Sequence, residues 1–507
     1  MFLSDLLKGG QTLQGQAGSL AINANDLLET NQFGQLFTVK CSDNAAVGNA
    51  GGTPVPKTTV SSFTGGASLN KESFRNSADG SIFMTAPYLS SNEGLELYKF
   101  NSAGALLGSI ILDAATASPN DVTVQQLTSS NLVVVWQEGG SAYFAIVGTG
   151  LNVIVAKTAI TSGAPSAISL SGGGFSIVTI SGGAAPQIAI YSNTGASVLA
   201  PTTVAGAATN AVQSIPSQLS NGNIVVVCTY GASLGQIIYT AAGTVVAAYT
   251  TFNTTVANPS SASISTLDGV YCFAVCNQAG GDLIYIFNNS GTQEGTTFNS
   301  STFGGIPTGY FNCAAVNDGT NFWVCFGNAL GGAGGNGAVI YAPTTGSGYV
   351  ASLLPQAAGT SNFVAMYELG FLIIYGSSGP VLYVCQLTSS GQALLVGTVS
   401  LTLTSGDTAS VISAGDFSVL LGQGVTSAFA VVKYLNTAIV GVAQQAVAAG
   451  NAGTLLTYSH GGGAGKNGYL CNPIIGTVGK GFNHSATNIV GNTGTMLGNS
   501  VALEGII

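Results

Sequence analysis

Gly231-Ala232-Ser233-Leu234-Gly235 matches G-x-S-x-G, the pattern that lifts a nucleophilic serine onto a strained strand-to-helix turn in acyl-transfer enzymes. Such a serine needs a histidine to take its proton and a carboxylate to orient that histidine. The chain has two histidines, His460 and His484, both far downstream, and no Asp, Glu, Lys, Arg or His between Thr158 and Leu267. The apolar runs on either side read as strands, so the pentapeptide reads as a Gly/Ser hairpin.

The other chemical candidates weaken in the same way. His460-Gly461-Gly462-Gly463-Ala464-Gly465-Lys466-Asn467 fails the phosphate-loop spacing G-x-x-x-x-G-K-[ST] at both ends and reads as a loop. His460 and His484 have no Cys or carboxylate at zinc-ligand spacing. Asp79, Asp268, Asp318 and Asp416 recur near a repeated turn, but one carboxylate per turn is too few for a calcium site. Asn253, Asn288, Asn299 and Asn483 begin N-x-S/T sequons, which are expected to be incidental. The eight cysteines contain no C-x-x-C pair, and Cys228 and Cys325 occupy the strand slot that Trp136 fills in another copy, which points to core packing. Trp136, Trp323 and most tyrosines also fall within apparent strands, which favours core over sugar-stacking platforms. No residue is assigned as catalytic, cofactor-binding or metal-binding, and no cofactor is expected.

The elements that would position any site are more legible. A turn residue recurs at Gly80, Ser130, Gly173, Gly222, Gly269, Gly319, Gly370 and Gly415, and a second glycine follows at Gly104, Gly150, Gly195, Gly243, Gly291, Gly346 and Gly391. In the fourth copy, Ser214–Leu219, Asn223–Tyr230, Gln236–Thr240 and Thr244–Thr250 read as four strands joined by tight turns. A period of 40 to 50 residues with four strands per copy marks a β-propeller. The fold class is therefore all-β: a propeller of about eight (alternatively seven) four-stranded blades plus a small C-terminal β module. The second strand of each copy is a continuous apolar run, as burial on both faces requires. The eighth copy lacks its closing strand, which is expected to come from the N-terminal region.

Composition narrows the function. Of 507 residues, 10 are Lys or Arg and 19 are Asp or Glu; that 6% compares with about 25% in ordinary globular chains. The formal charge of −9 argues against nucleic acid, whose phosphates call for clustered Lys and Arg. Apolar runs of four to seven residues, bounded by Gly, Ser or Asn, give no transmembrane helix. The N-terminus has no basic region followed by an apolar one, so no signal peptide is expected. A neutral, hydroxyl-rich surface opposes self-association weakly and suits a member of a large assembly.

The expected organisation is an irregular N-terminal arm at 1–60 for attachment or oligomerisation, the propeller at 61–435, and a small β module at 436–507. Within the arm, Asn44–Lys57 reads as a Gly/Pro-rich loop. Asn436–Thr454 (NTAIVGVAQQAVAAGNAGT), Gly476–Ser485 (GTVGKGFNHS) and the closing LEGII resemble the terminal modules of bacteriophage tail-fibre and head-fibre proteins over about 70 residues. That resemblance implies a non-enzymatic structural or adhesion component of a phage particle, made in the host cytoplasm and located on the virion exterior. A tail fibre or receptor-binding protein is the first expectation. Its partners would be other virion proteins, further copies of itself and a host surface glycan or receptor. The alternatives are a capsid-attached fibre, decoration or tail-nozzle protein, or a polysaccharide-degrading propeller enzyme.

Overall fold

The computed structural model describes residues 81–86, 93–100, 106–114, 118–256, 259–277, 281–303, 312–327 and 337–354, together with the strands and turns named below outside these spans. Its described elements are strands. Eight four-stranded antiparallel sheets follow one another along the chain. The first contains Ser73–Arg75, Ile82–Ala86, Leu95–Phe100 and Leu106–Asp113, and the second Asn120–Gln126, Leu132–Glu138, Ser141–Val147 and Val153–Ser162. Sheets three and four run from Ala164–Ser169 to Ser197–Thr203 and from Gln213–Gln218 to Val245–Asn253. Sheet five is built from Pro259–Leu267, Val270–Asn277, Leu283–Asn288 and Gln293–Asn299, sheet six from Asn312–Asn317, Phe322–Gly327, Gly337–Ala342 and Val350–Leu354, and sheet seven from Phe363–Glu368, Phe371–Gly376, Val381–Leu387 and Ala393–Ser400. Sheet eight begins with Val411–Gly415, Ser418–Gly422 and Phe429–Lys433. The first strands of successive sheets lie side by side, and Val411–Gly415 of the eighth returns to Ser73–Arg75 of the first. This is a β-propeller.

The apolar second strands explain how the sheets hold together. Alternate residues of Val270–Asn277 enter two different cores: Tyr271, Phe273 and Val275 pack against sheet four, while Cys272, Ala274 and Cys276 pack against sheet six. Phe322, Val324 and Phe326 share the second of these cores, and Trp323 and Cys325 face sheet seven. Each fully buried side chain of this size contributes about 1.5–3 kcal/mol. A strand sandwiched between two neighbours has no polar face to alternate with, so it reads as an unbroken apolar run. Cys228, Cys272, Cys276, Cys313, Cys325 and Cys385 are free thiols within these cores. Burial pushes the Cys272, Cys325 and Cys385 thiols up, Cys385 to about 12, so they stay protonated and inert.

The recurring turn residue links the first strand to the second. Gly222 and Gly269 have φ of 85° and 78°, and Ser130 adopts φ of 67° in the glycine's place. In the second sheet the later turn shifts by one residue: Leu151, not Gly150, carries the positive φ, at 63°.

The fourth strands form the outer wall. In sheets one to four each carries a bulge near its start, between Leu106 and Gly108, Val153 and Val155, Ser197 and Leu199, and Val245 and Ala247. The inserted residues are Leu107, Ile154, Val198 and Val246, which are 58%, 45%, 50% and 53% exposed. Sheet five interrupts this aliphatic belt with Gln293 and Glu294, which pair with Phe287 and Ile286 without an insertion.

The N-terminal region supplies the missing strand of the eighth sheet, as expected, and the two tails also share strands. Val55–Lys57, within the stretch read as a loop, pairs with Phe429–Lys433 as the fourth strand of the eighth sheet. Its Pro56 is tolerated because the strand lies at the sheet's edge. The first 60 residues also supply Thr12–Ala17, Leu27–Thr30 and Gln35–Thr38, which join Ile439–Ala443 and Ala452–Leu456 in one closed five-stranded barrel. The arm and part of the C-terminal module thus share a unit, with Thr12 opposite Leu456 and Leu27 opposite Val442. Tyr469–Cys471, Gly494–Leu497 and Ser500–Leu503 make a separate three-stranded sheet.

Candidate functional site between adjacent sheets

The chemical candidates of the sequence resolve into turns. Ser233 sits in the turn between Ile224–Thr229 and Leu234–Tyr239, where Tyr230 N donates to Ser233 O at 2.8 Å. That strand-to-strand setting is not a nucleophile elbow. His460, His484, Asp79 and the segment 460–467 lie outside the described residues, as does Asp416. Asp318 Oδ1 accepts from Thr320 N and Asn321 N, both at 2.8 Å, and its Oδ2 accepts from Trp323 Nε1 at 2.8 Å. The sequon asparagines are local turn formers too: Asn253, Asn288 and Asn299 each accept from the N–H and hydroxyl two residues on. Among the described residues no group of three His, Cys, Asp or Glu could hold a metal ion.

A position that the motifs did not reveal emerges when the sheets are aligned by turn and strand pairing. At the rim between neighbouring sheets, one residue ends the fourth strand or follows it on one side, and three residues come from the other sheet. Between sheets one and two these are Asp113, Glu138, Tyr143 and Lys157. Between three and four they are Val204, Tyr230, Gly235 and Tyr249, and between four and five Asn253, Asn277, Leu283 and Thr297.

The first slot is filled by ions. Lys157 Nζ donates to Asp113 Oδ2 at 2.5 Å and to Glu138 Oε2, and sits 4.3 Å from the centre of the Tyr143 ring. Both carboxylates are buried. Burial opposes the Lys157 charge, but hydrogen bonds and attraction from both carboxylates outweigh it and hold its pKa above the ordinary value. Burial pushes the Glu138 carboxyl up, as does Asp113 beside it, against the pull of Lys157.

The slot between sheets three and four is filled by tyrosine. Gly235 leaves room for the Tyr249 ring, and a Cβ at that position would collide with the phenol. Tyr249 packs onto the core that contains Val204 and Tyr230.

Between sheets four and five the equivalent place is a cavity of about 340 Å³. Its polar lining is Asn253, Thr255, Asn277, Gln293, Thr297 and Asn299, and its apolar lining is Phe252, Leu283 and Tyr285. Asn253 Nδ2 donates to Tyr285 Oη at 2.5 Å, and Gln293 Nε2 donates to Thr297 Oγ1 at 3.0 Å. Phe252 meets the Tyr285 ring edge-to-face at 5.0 Å. Behind the wall, buried Asp282 accepts from Asn277 N at 3.1 Å and from Ser300 Oγ at 3.2 Å, which fixes the end of the strand. Gly281 lets Asn299 approach, since a Cβ there would strike Asn299 Oδ1. Tyr285 is the one ionisable group in the lining, and burial pushes its pKa above the ordinary tyrosine value, offset in part by Asn253. Near neutral pH the lining therefore carries no charge. It offers hydrogen bonds and aromatic edges, with no activated nucleophile and no general acid or base.

No family model matches the chain, and no curated protein matches it. Solved structures similar to it include the Dos1 propeller, 11% identical, with 77% of this chain and 96% of that one covered at a TM-score of 0.49. The WD40 domain of SCAP from fission yeast is 9% identical and covers 75% and 97% at 0.44. Apo AztD from Citrobacter koseri is 12% identical and covers 71% and 95% at 0.44. The likeness is one of fold. It carries no site residue from any of these proteins to this chain.

Proposed function

We propose that this chain is a non-enzymatic structural and adhesion component of a bacteriophage particle, of the tail-fibre or receptor-binding kind. In this reading the eight sheets are the blades of one ring, and the barrel that joins the two tails is the attachment unit. The observation that carries the assembly part is the aliphatic belt. Leu107, Ile154, Val198 and Val246 stand at the same bulge in four successive sheets, all about half exposed. Scattered apolar surface residues need no explanation, whereas repetition at one height on a nearly charge-free wall favours a surface that other protein covers. The resemblance of 436–507 to phage fibre modules supplies the setting.

Antibody labelling of gradient-purified phage particles whose genome encodes the chain tests the reading. Labelling at one fixed location on each particle is expected. Particles that lack the chain would overturn it.

A further inference from the structure

We propose that the cavity between the fourth and fifth sheets is a binding site for a neutral saccharide. The inference names the ligand class and the place for the adhesion half of the function proposed above, and it rests on that half.

Three observations lead to it. The first is that the cavity lies at a position that is filled at two other rims. Lys157, Asp113 and Glu138 close the equivalent slot between sheets one and two, and Tyr249 closes it between sheets three and four. Replacing these by Thr297, Asn253 and Asn277 leaves about 340 Å³, at the lower end of the roughly 300–1,000 Å³ usual for small-molecule sites.

The second is the chemistry of the lining. Carboxamides present a donor and an acceptor side by side, which matches adjacent hydroxyls on a sugar ring. Phe252 and Tyr285 supply an apolar face with a polar tip, suited to the C–H face and hydroxyl rim of a pyranose. The lining holds neither a cation for a phosphate or an acidic sugar nor an anion for an amine, which selects against charged ligands. An apolar ligand would be a poor match for a lining made mostly of amides and hydroxyls.

The third is preorganisation. Asn253 is fixed by Tyr285 and by Thr255, Asn299 Oδ1 by Ser301, and the Asn277 backbone by Asp282. Side chains already held in place lose little entropy on binding, so the site need not reorganise to take its ligand.

Saturation-transfer NMR on the full chain tests the proposal. The probes are methyl α-mannoside, methyl β-galactoside, methyl α-glucoside and N-acetylglucosamine, with glucuronic acid and glucosamine as charged comparators. At least one neutral probe is expected to bind saturably, and more tightly than either charged sugar. The variant N253D/N277E/T297K carries the ion set of sheets one and two into the cavity. It is expected to weaken binding at least about tenfold, a difference of about 1.4 kcal/mol. Asn299→Ala, which leaves the cavity open and removes one amide, is expected to weaken binding about threefold to tenfold and serves if the triple variant does not fold. Binding by none of the neutral probes, tighter binding of a charged sugar, or unchanged affinity in the folded triple variant and in Asn299→Ala would overturn the proposal. Labelling of particles separates the two claims: a chain found on the virion that binds no sugar loses this site alone, while a sugar-binding chain absent from particles keeps the site and loses its setting.

Discussion

The rim between sheets one and two and the rim between sheets four and five occupy equivalent places in the repeat and have opposite contents, and sheet five gathers beside Thr297 the bulge that sheet two splits in two. One encloses a lysine between two buried carboxylates; the other encloses space lined by amides and hydroxyls. The ion set seals its slot and is costly to disturb, because each charge depends on the others. The neutral set satisfies itself through local turns and leaves the centre open. A repeated scaffold can therefore place a plug or a pocket at one position by changing the four side chains and the bulge that line it, with no change of fold.

The comparison breaks first at its ionic end. Lys157→Met leaves Asp113 and Glu138 buried without a counter-charge, and should cost about 3 kcal/mol, the lower end for a broken buried pair because Lys157 is partly exposed. Native-state hydrogen exchange in Leu132–Glu138 and Leu95–Phe100 should accelerate accordingly. The compensated variant D113N/E138Q/K157M should recover most of the loss. Equal exchange rates in the single and compensated variants would show that the ions do not act as a unit.

The tyrosine slot gives the next effect. Gly235→Ala forces a Cβ against the Tyr249 phenol and should destabilise by about 2 kcal/mol, as overpacking does. In a Tyr249→Ala background the same change should cost much less, so a thermal-melt double-mutant cycle should show strong coupling. Additive effects would mean that Tyr249 is not what fills the slot.

A smaller effect sits in the turn that feeds the ionic slot. Ser130 holds φ of 67° where other sheets have glycine, so Ser130→Gly should stabilise by about 1 kcal/mol. A melting temperature that falls would contradict this account of the repeat.

The smallest effect is in alkaline pH. Folding raises the Lys157 pKa, so its contribution is fully present below the unfolded value of 10.5 and is lost as pH climbs through the higher folded value. The stability difference between the wild-type chain and Lys157→Met should therefore shrink only above pH 10.5. Shrinkage that begins near neutrality would place the lysine outside the triad.

Much of the fold was legible because it is written locally. The turn residues keep step along the chain, and Ser130 adopts the conformation its place in the series calls for. The apolar second strands declared two-sided burial, and the cysteines in them are packed thiols. The missing closing strand was legible as a gap, but its donor, Val55–Lys57, was hidden in Gly- and Pro-rich sequence. The barrel was not legible, since Thr12 and Leu456 reveal their pairing only in three dimensions. The cavity was hidden for a related reason: its residues come from two sheets, and none is unusual alone. One signal was available. Counting from Ser130, Gly222 and Gly269 puts Glu138, Tyr230 and Asn277 at the same step, an acid, a phenol and an amide in one structural place.

This place is one slot with interchangeable contents, and a crystal structure of N253D/N277E/T297K tests that most directly. The introduced ammonium should lie between the two introduced carboxylates, over the position of the cavity, with the sheets unmoved and the space between them gone. Introduced side chains that turn to solvent around a cavity still open would contradict it.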